Sequence, residues 1–228
     1  MQRNTLDHLP EEARRTQEER SDQMRLRLIE ATMHCIAQEG YVGTTVTRIV
    51  ERSRASRGAF LHHFPTKASL IEATVEHFTR MLYRELGNTI ASMIDAEDRL
   101  DVLLQSAFDR LVASTEFSLF QEMLTASRTD PELLALMKRL GVSFLDMLLT
   151  ATQHYFEPRA RSESPEDLML LTQWVIRGMA ADHHLMNRVD VLQRYFDVWV
   201  RLLRTQLKPR AGVKGPPPKP KFWDRGLG

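Results

Sequence analysis

Between Gly43 and Lys67 the chain sets Arg48, Arg52, Arg54, Arg57 and Lys67 against a single acid, Glu51. Cationic groups at that density suit phosphate oxygens, although charge alone reads equally as a solvated basic face. The net charge of the 228 residues is only +1, so the signal is local. Eight histidines raise a second kind of chemistry, metal ligation. His62-His63 and His183-His184 are adjacent pairs. Neighbours on a helix point about 100° apart, so neither pair converges on one ion. Asp182 beside His183 reads as an acid–imidazole pair or, in preference, as two polar helix positions. HExxH, CxxC, GxSxG and a glycine-rich phosphate loop are missing from the sequence. No catalytic residues, metal or cofactor are therefore expected.

The cations acquire a geometry from Thr44 to Leu70, TTVTRIVERSRASRGAFLHHFPTKASL. The spacing predicts a two-turn helix over Val46 to Arg52, capped by Thr45 and apolar at Ile49 and Val50. Ser53-Arg54-Ala55 is a three-residue turn, and Ser56 caps a second short helix, Arg57 to His63. Phe60 and Phe64, four apart, share a face that can pack on Ile49. Two short helices joined by such a turn form a helix-turn-helix, whose second helix enters the major groove of DNA N-terminal end first. Ser56 and the amides behind it could hold a phosphate, and Arg57 could grip a guanine in bidentate fashion. Gly58 would let the backbone approach DNA, or is a tolerated surface glycine. Of His62 and His63, one can face phosphate and the other protein. Thr44, Thr45, Arg48, Arg54 and Lys67 complete the expected DNA-facing set, with Thr44 and Lys67 suited to phosphate oxygens.

The stretch Arg25 to Phe78 resembles the N-terminal domain of TetR-family regulators. The resemblance is carried by Gly40-Tyr41 after the first helix and by Thr44-Thr45 before the second. It continues with Ser56-Arg57-Gly58 opening the recognition helix and with His63-Phe64-Pro65-Thr66-Lys67 followed by Leu70. Two departures stand out. The family's usual tyrosine in the recognition helix is Leu61, which removes a phenolic hydroxyl. The usual Ala-Gly-Val turn carries Arg54-Ala55 after Ser53, and an arginine in a left-handed position costs about 1 kcal/mol. The resemblance implies a repressor that binds a palindromic operator in double-stranded DNA as a homodimer. The last two long helices, Pro165 to Met186 and Val191 to Leu207, would pack on their twins, with Trp174, Met179, Tyr195, Val198, Trp199 and Leu202 as core or interface, and Trp199 and Leu202 favoured for the interface. Two-fold symmetry would set the recognition helices about 34–36 Å apart, one per half-site. The family's usual signal is a small molecule bound in the second domain. Phe108, Phe117, Phe120, Met123, Phe144, Met147, Trp174 and His183 are the candidate pocket walls, which would favour a largely apolar effector. Met and Phe at helical spacing also read as plain core.

The elements that must position these residues are helical throughout. Leu26, Ile29, Met33 and Ile36 step by three and four, as do Ile71, Val75, Phe78 and Leu82, and Leu168, Leu171, Val175 and Met179. An all-α protein of nine or ten helices is expected: a three-helix DNA-binding domain and a larger helical regulatory and dimerisation domain. The expected divisions are a polar extension over 1–20, the helix-turn-helix domain over 21–68, the ligand-binding and dimerisation domain over 69–207, and a Pro/Lys-rich tail over 208–228. The tail should be extended and mobile, with a lesser reading as a polyproline ligand or a basic arm on DNA. Glu157 to Ser164 reads as a polar loop, and Val189-Asp190 as a break. One cysteine, Cys35, lies on an apolar stretch and reads as packing. The first residues have no apolar core of a signal peptide, and no run spans a bilayer, so a soluble cytoplasmic protein is expected. Two other readings compete: a DNA binder that senses a protein partner, and a helical enzyme with an incidental basic patch.

Overall fold

The computed structural model describes residues 11–112, 114–159, 163–186 and 188–218. Among these residues the chain forms nine helices and two three-residue strands. They fall into two compact units, with the boundary between His77 and Phe78.

The first unit holds α1 (Glu11–Gly43), α2 (Val46–Ser53), α3 (Arg57–His63) and the opening turns of α4 (Lys67–Met93). α1 already begins at Glu11, so residues 11–20 are helical and continuous with the remainder of α1. Gly40 leaves helical geometry at φ 77°, a value that glycine adopts without penalty, and the chain bends there toward α2. The core is made of Leu28, Ile29 and Cys35 from α1, Ile49 from α2, Phe60 from α3, then Phe64 and Leu70. Ile49 is fully buried and Phe60 is 2% exposed, so each short helix contributes one deep anchor to the unit. Helices this short are unstable alone, and such burial is what holds them.

The second unit holds the rest of α4, with α5 (Arg99–Leu111), α6 (Thr115–Ala126), α7 (Pro131–Tyr155), α8 (Pro165–Met186) and α9 (Val189–Gln206). Asp98, Ser114 and Asp130 cap α5, α6 and α7 by accepting from the backbone amides of Asp101, Phe117 and Leu133. Pro131 sits in the first turn of α7, where its missing N–H costs nothing. Phe108 and Phe196 stack at 4.6 Å in a core that also includes Phe117, Tyr155, Ile176 and Leu203.

The break between the last two long helices falls before Val189, and Val189-Asp190 opens α9, where the Asp190 carboxylate bonds Arg188 at 2.7 Å and lies at the positive helix end. Two expectations are corrected here. The segment Glu157 to Ser164 is not all loop, because β1 (Phe156–Pro158) pairs antiparallel with β2 (Leu207–Pro209). The tail is not extended and mobile from its root. The Arg210 amide donates to the Tyr155 carbonyl at 2.8 Å, and the Tyr155 hydroxyl donates to the Gly215 carbonyl at 3.1 Å. Phe156 and Leu207 are buried to 0% and 1% exposure, which ties the start of the tail to the core.

Candidate nucleic-acid interface

The turn between α2 and α3 is built from the backbone. The Ala55 amide donates to the Val50 carbonyl and the Arg54 amide to the Glu51 carbonyl, both at 3.1 Å. That crossed pair closes the C-terminus of α2 as a Schellman motif. It requires a left-handed residue after the helix, and Arg54 fills it at φ 53°, ψ 34°. Val50 and Ala55, which flank the motif, both pack on the core of this unit. The Arg27 guanidinium on α1 donates to the Ser53 carbonyl, one of the acceptors α2 leaves unpaired at its end. Thr45 caps α2 by accepting from the Arg48 amide at 3.3 Å, and Ser56 caps α3 by accepting from the Ala59 amide at 3.0 Å.

With Phe60 turned inward, α3 presents Arg57, Gly58, Leu61 and His62 to solvent. These are positions i, i+1, i+4 and i+5, one face of a helix. A Cβ on Gly58 would meet only the Ser56 hydroxyl oxygen at 3.8 Å, so packing within the chain does not demand glycine there. His63 is half-buried, edge-on to His62 at 5.0 Å. Burial, His62 and Arg25 together push the His63 imidazole below its usual range, opposed only by Asp22. His62 is exposed to solvent and His63 is the more enclosed of the two.

The other expected contacts divide. Thr45, Arg48, Arg54, Ser56 and Arg57 are exposed. Lys67 lies half-buried with its ammonium 5.2 Å from the Tyr41 ring centroid. Thr44 is fully buried, and its hydroxyl donates to the Gly40 carbonyl at 2.8 Å, so it belongs to the fold and not to a phosphate-facing surface. Arg48 is ion-paired with Glu39 on α1, and Arg52 lies 3.6 Å from the same carboxylate while donating to the Gln38 side-chain oxygen at 2.8 Å. Glu39, Gln38 and Arg27 are the residues that the sequence reading missed. All three come from α1, whose alignment with α2 no local pattern announces.

In the second unit the eight candidate wall residues stand in different environments. Phe108, Phe117 and Met147 lie in the apolar core, with Phe120 and Phe144 packed against it, and Met123 is fully buried. Phe120 carries the Arg177 guanidinium at 4.6 Å from its ring centroid, and burial lowers the Arg177 pKa from its usual value. His183 is half-buried, with Nδ1 enclosed and without a hydrogen-bond partner. Trp174 is 57% exposed and stands on the surface. Two open clefts of about 240 and 320 Å³ have polar linings instead, one with Asp101, Gln105 and Arg204, the other with Glu85, Asn88 and Arg110. On α8 and α9 the exposed apolar residues include Leu171, Trp174, Tyr195, Val198 and Leu202. Trp199, expected at an interface with Leu202, is instead turned inward, its indole N–H donating to the Thr172 hydroxyl at 3.1 Å. Among the described residues no group of three or more His, Cys, Asp or Glu could hold a metal ion. No helix among them is long and apolar enough to cross a membrane.

Residues 28–74 match the family model for bacterial regulatory proteins of the tetR family. The chain is 30% identical over 120 residues to the HTH-type transcriptional regulator CymR of Pseudomonas putida, covering 53% of this chain and 59% of that protein. It is 34% identical over 86 residues to the regulator BetI of Paraburkholderia phytofirmans, covering 37% and 44%. The matched stretch thus spans about half the length of these relatives. Among solved structures it resembles a TetR-family regulator from Cytophaga hutchinsonii, with a TM-score of 0.61 at 16% identity over 82% of this chain and 96% of that one. It also resembles a transcriptional regulator from Saccharomonospora viridis solved with choline, with a TM-score of 0.64 at 16% identity over 82% and 99%. Those two likenesses concern the fold alone.

Proposed function

We propose that the chain, whose residues 28–74 match the tetR family model, is a TetR-family repressor that binds a palindromic operator as a homodimer. The observation that carries this reading is the outward face of α3. Arg57, Gly58, Leu61 and His62 are exposed together, while Phe60 anchors the same helix in the core. A helix pinned on one side and presenting a bidentate donor on the other is what major-groove reading requires. Arg54 and Arg48 flank it as backbone contacts, which position the protein without reading sequence.

Dimerisation is supported by Leu171, Trp174, Tyr195, Val198 and Leu202, exposed on two successive long helices of the second unit. Apolar surface of that kind gains by burial against a second copy. We assign release from DNA to a small, largely apolar effector held in the second unit, and place the protein in the cytoplasm. A neighbour of the same fold was solved with choline, which shows that fold accommodating a small molecule. A second reading, in which a protein partner supplies the signal, is favoured by the packing of Phe108, Phe117 and Met147 into the core.

Selection of bound duplexes from random DNA tests the main reading. A palindromic consensus, bound by two chains per duplex in a sedimentation experiment, is expected. Failure to enrich any sequence would sink it. A thermal-shift screen separates the two signals, since only an effector-binding chain gains stability from small apolar compounds.

A further inference from the structure

We propose that Leu61 is the residue through which this chain reads thymine, its side chain packing on the C5-methyl group of one base in each half-site. The inference rests on the DNA-binding reading above and adds a base identity to it. Leu61 is 54% exposed and lies outside the core of its unit. It occupies the centre of the outward face of α3, four residues after Arg57 and next to His62. The fold makes no use of an apolar side chain in that place. Leucine has no donor for a phosphate and no partner for a polar base edge. Burying it is favourable only against another apolar group. In the major groove one base carries such a group: guanine, cytosine and adenine show donors and acceptors, and thymine adds its methyl.

Reach fits the same assignment. Leucine is much shorter than arginine, so α3 must lie close to the base edges for Leu61 to touch them. Gly58, three residues earlier on the same face, leaves that side of the helix open. Arg57 reaches past it as the polar reader, so the helix would carry one polar and one apolar reader in adjacent turns. The alternative for an exposed leucine in a protein–DNA interface is contact with deoxyribose, which carries no base information.

Deoxyuridine separates the two, because it differs from thymidine only by the missing methyl. The full chain is used to select its duplex from random DNA, and each thymine of the consensus is then replaced singly by deoxyuridine. One thymine per half-site is expected to weaken binding about fourfold when it loses its methyl, and the two together about fifteenfold. Leu61→Ala is expected to bind the natural site more weakly and to ignore deoxyuridine at that position, with an unchanged circular dichroism spectrum. Indifference of the natural chain to every methyl, a full methyl penalty retained by Leu61→Ala, or a consensus without thymine would overturn the proposal alone. Enrichment of no sequence would overturn the DNA-binding reading beneath it.

Discussion

Glu39 on α1 holds the guanidinium of Arg48 on α2, across the bend at Gly40. The same carboxylate stands 3.6 Å from Arg52. One acid thus restrains two of the cations that make this surface basic. Both arginine side chains remain more than a third exposed, so the pairs are weak and exchangeable with phosphate. Glu39→Gln is expected to tighten binding to DNA of any sequence. The salt dependence should steepen by about 0.9 in log–log slope for each arginine recruited to phosphate. Folding stability should change by less than about 1 kcal/mol. Fluorescence anisotropy titrations at several salt concentrations decide it, and an unchanged slope would show that the arginines stay away from the backbone.

Arg57 is exposed on the outward face of α3, one residue past its cap. Arg57→Ala is expected to lose about 1–3 kcal/mol of specific binding per half-site while non-specific binding falls little. Circular dichroism should show an intact helical fold. Equal losses on specific and random duplexes would make Arg57 a phosphate contact and not a base reader.

Arg54 stands at φ 53°, the single non-glycine residue with positive φ among those described. The Schellman motif fixes that geometry whatever residue occupies it. Arg54→Gly is expected to stabilise the chain by about 0.5–1 kcal/mol, after allowing for the greater freedom of glycine in the unfolded chain. It should also weaken DNA binding by removing a cation. Urea denaturation and a binding titration on the same variant test both halves. Stability without DNA loss would mean that Arg54 has no role at the surface.

The His63 imidazole is held below its usual value near 6.5 chiefly by burial, then by His62 and Arg25. The unfolded chain therefore takes up a proton at this site at higher pH than the folded chain. Stability from this residue is complete above pH 6.5 and declines as pH falls from there toward the lowered folded value. His63→Asn should lose less melting temperature than the natural chain between pH 7.5 and 5.5. Identical pH profiles would show that His63 is not the titrating group.

Leu207 is 1% exposed and begins β2, the root of the C-terminal tail. Leu207→Ala is expected to cost about 2–5 kcal/mol, the usual range for a buried leucine. A change under about 1 kcal/mol would show that the tail is attached without supporting the unit.

What local residue order determined was the helix-turn-helix pair. α3 begins and ends as read from Ser56 to Phe64, and α2 runs one residue beyond Arg52. Caps, three-residue turns and i to i+4 apolar pairs act between neighbours in sequence, so their signals are complete within a dozen residues. That Arg54 occupies the left-handed position is settled by the crossed Ala55–Val50 and Arg54–Glu51 bonds at the end of α2. The tertiary structure decided everything that depends on which helix lies beside which. It buried Thr44 and placed Glu39 against Arg48, nine residues and one bend away. It turned Trp199 inward to Thr172 while leaving Trp174 on the surface. It also paired Phe156 with Pro209 in a strand register that no alternation of residues announces. Apolar spacing shows that a helix has a buried face, but the partner of that face is chosen by packing across the whole unit.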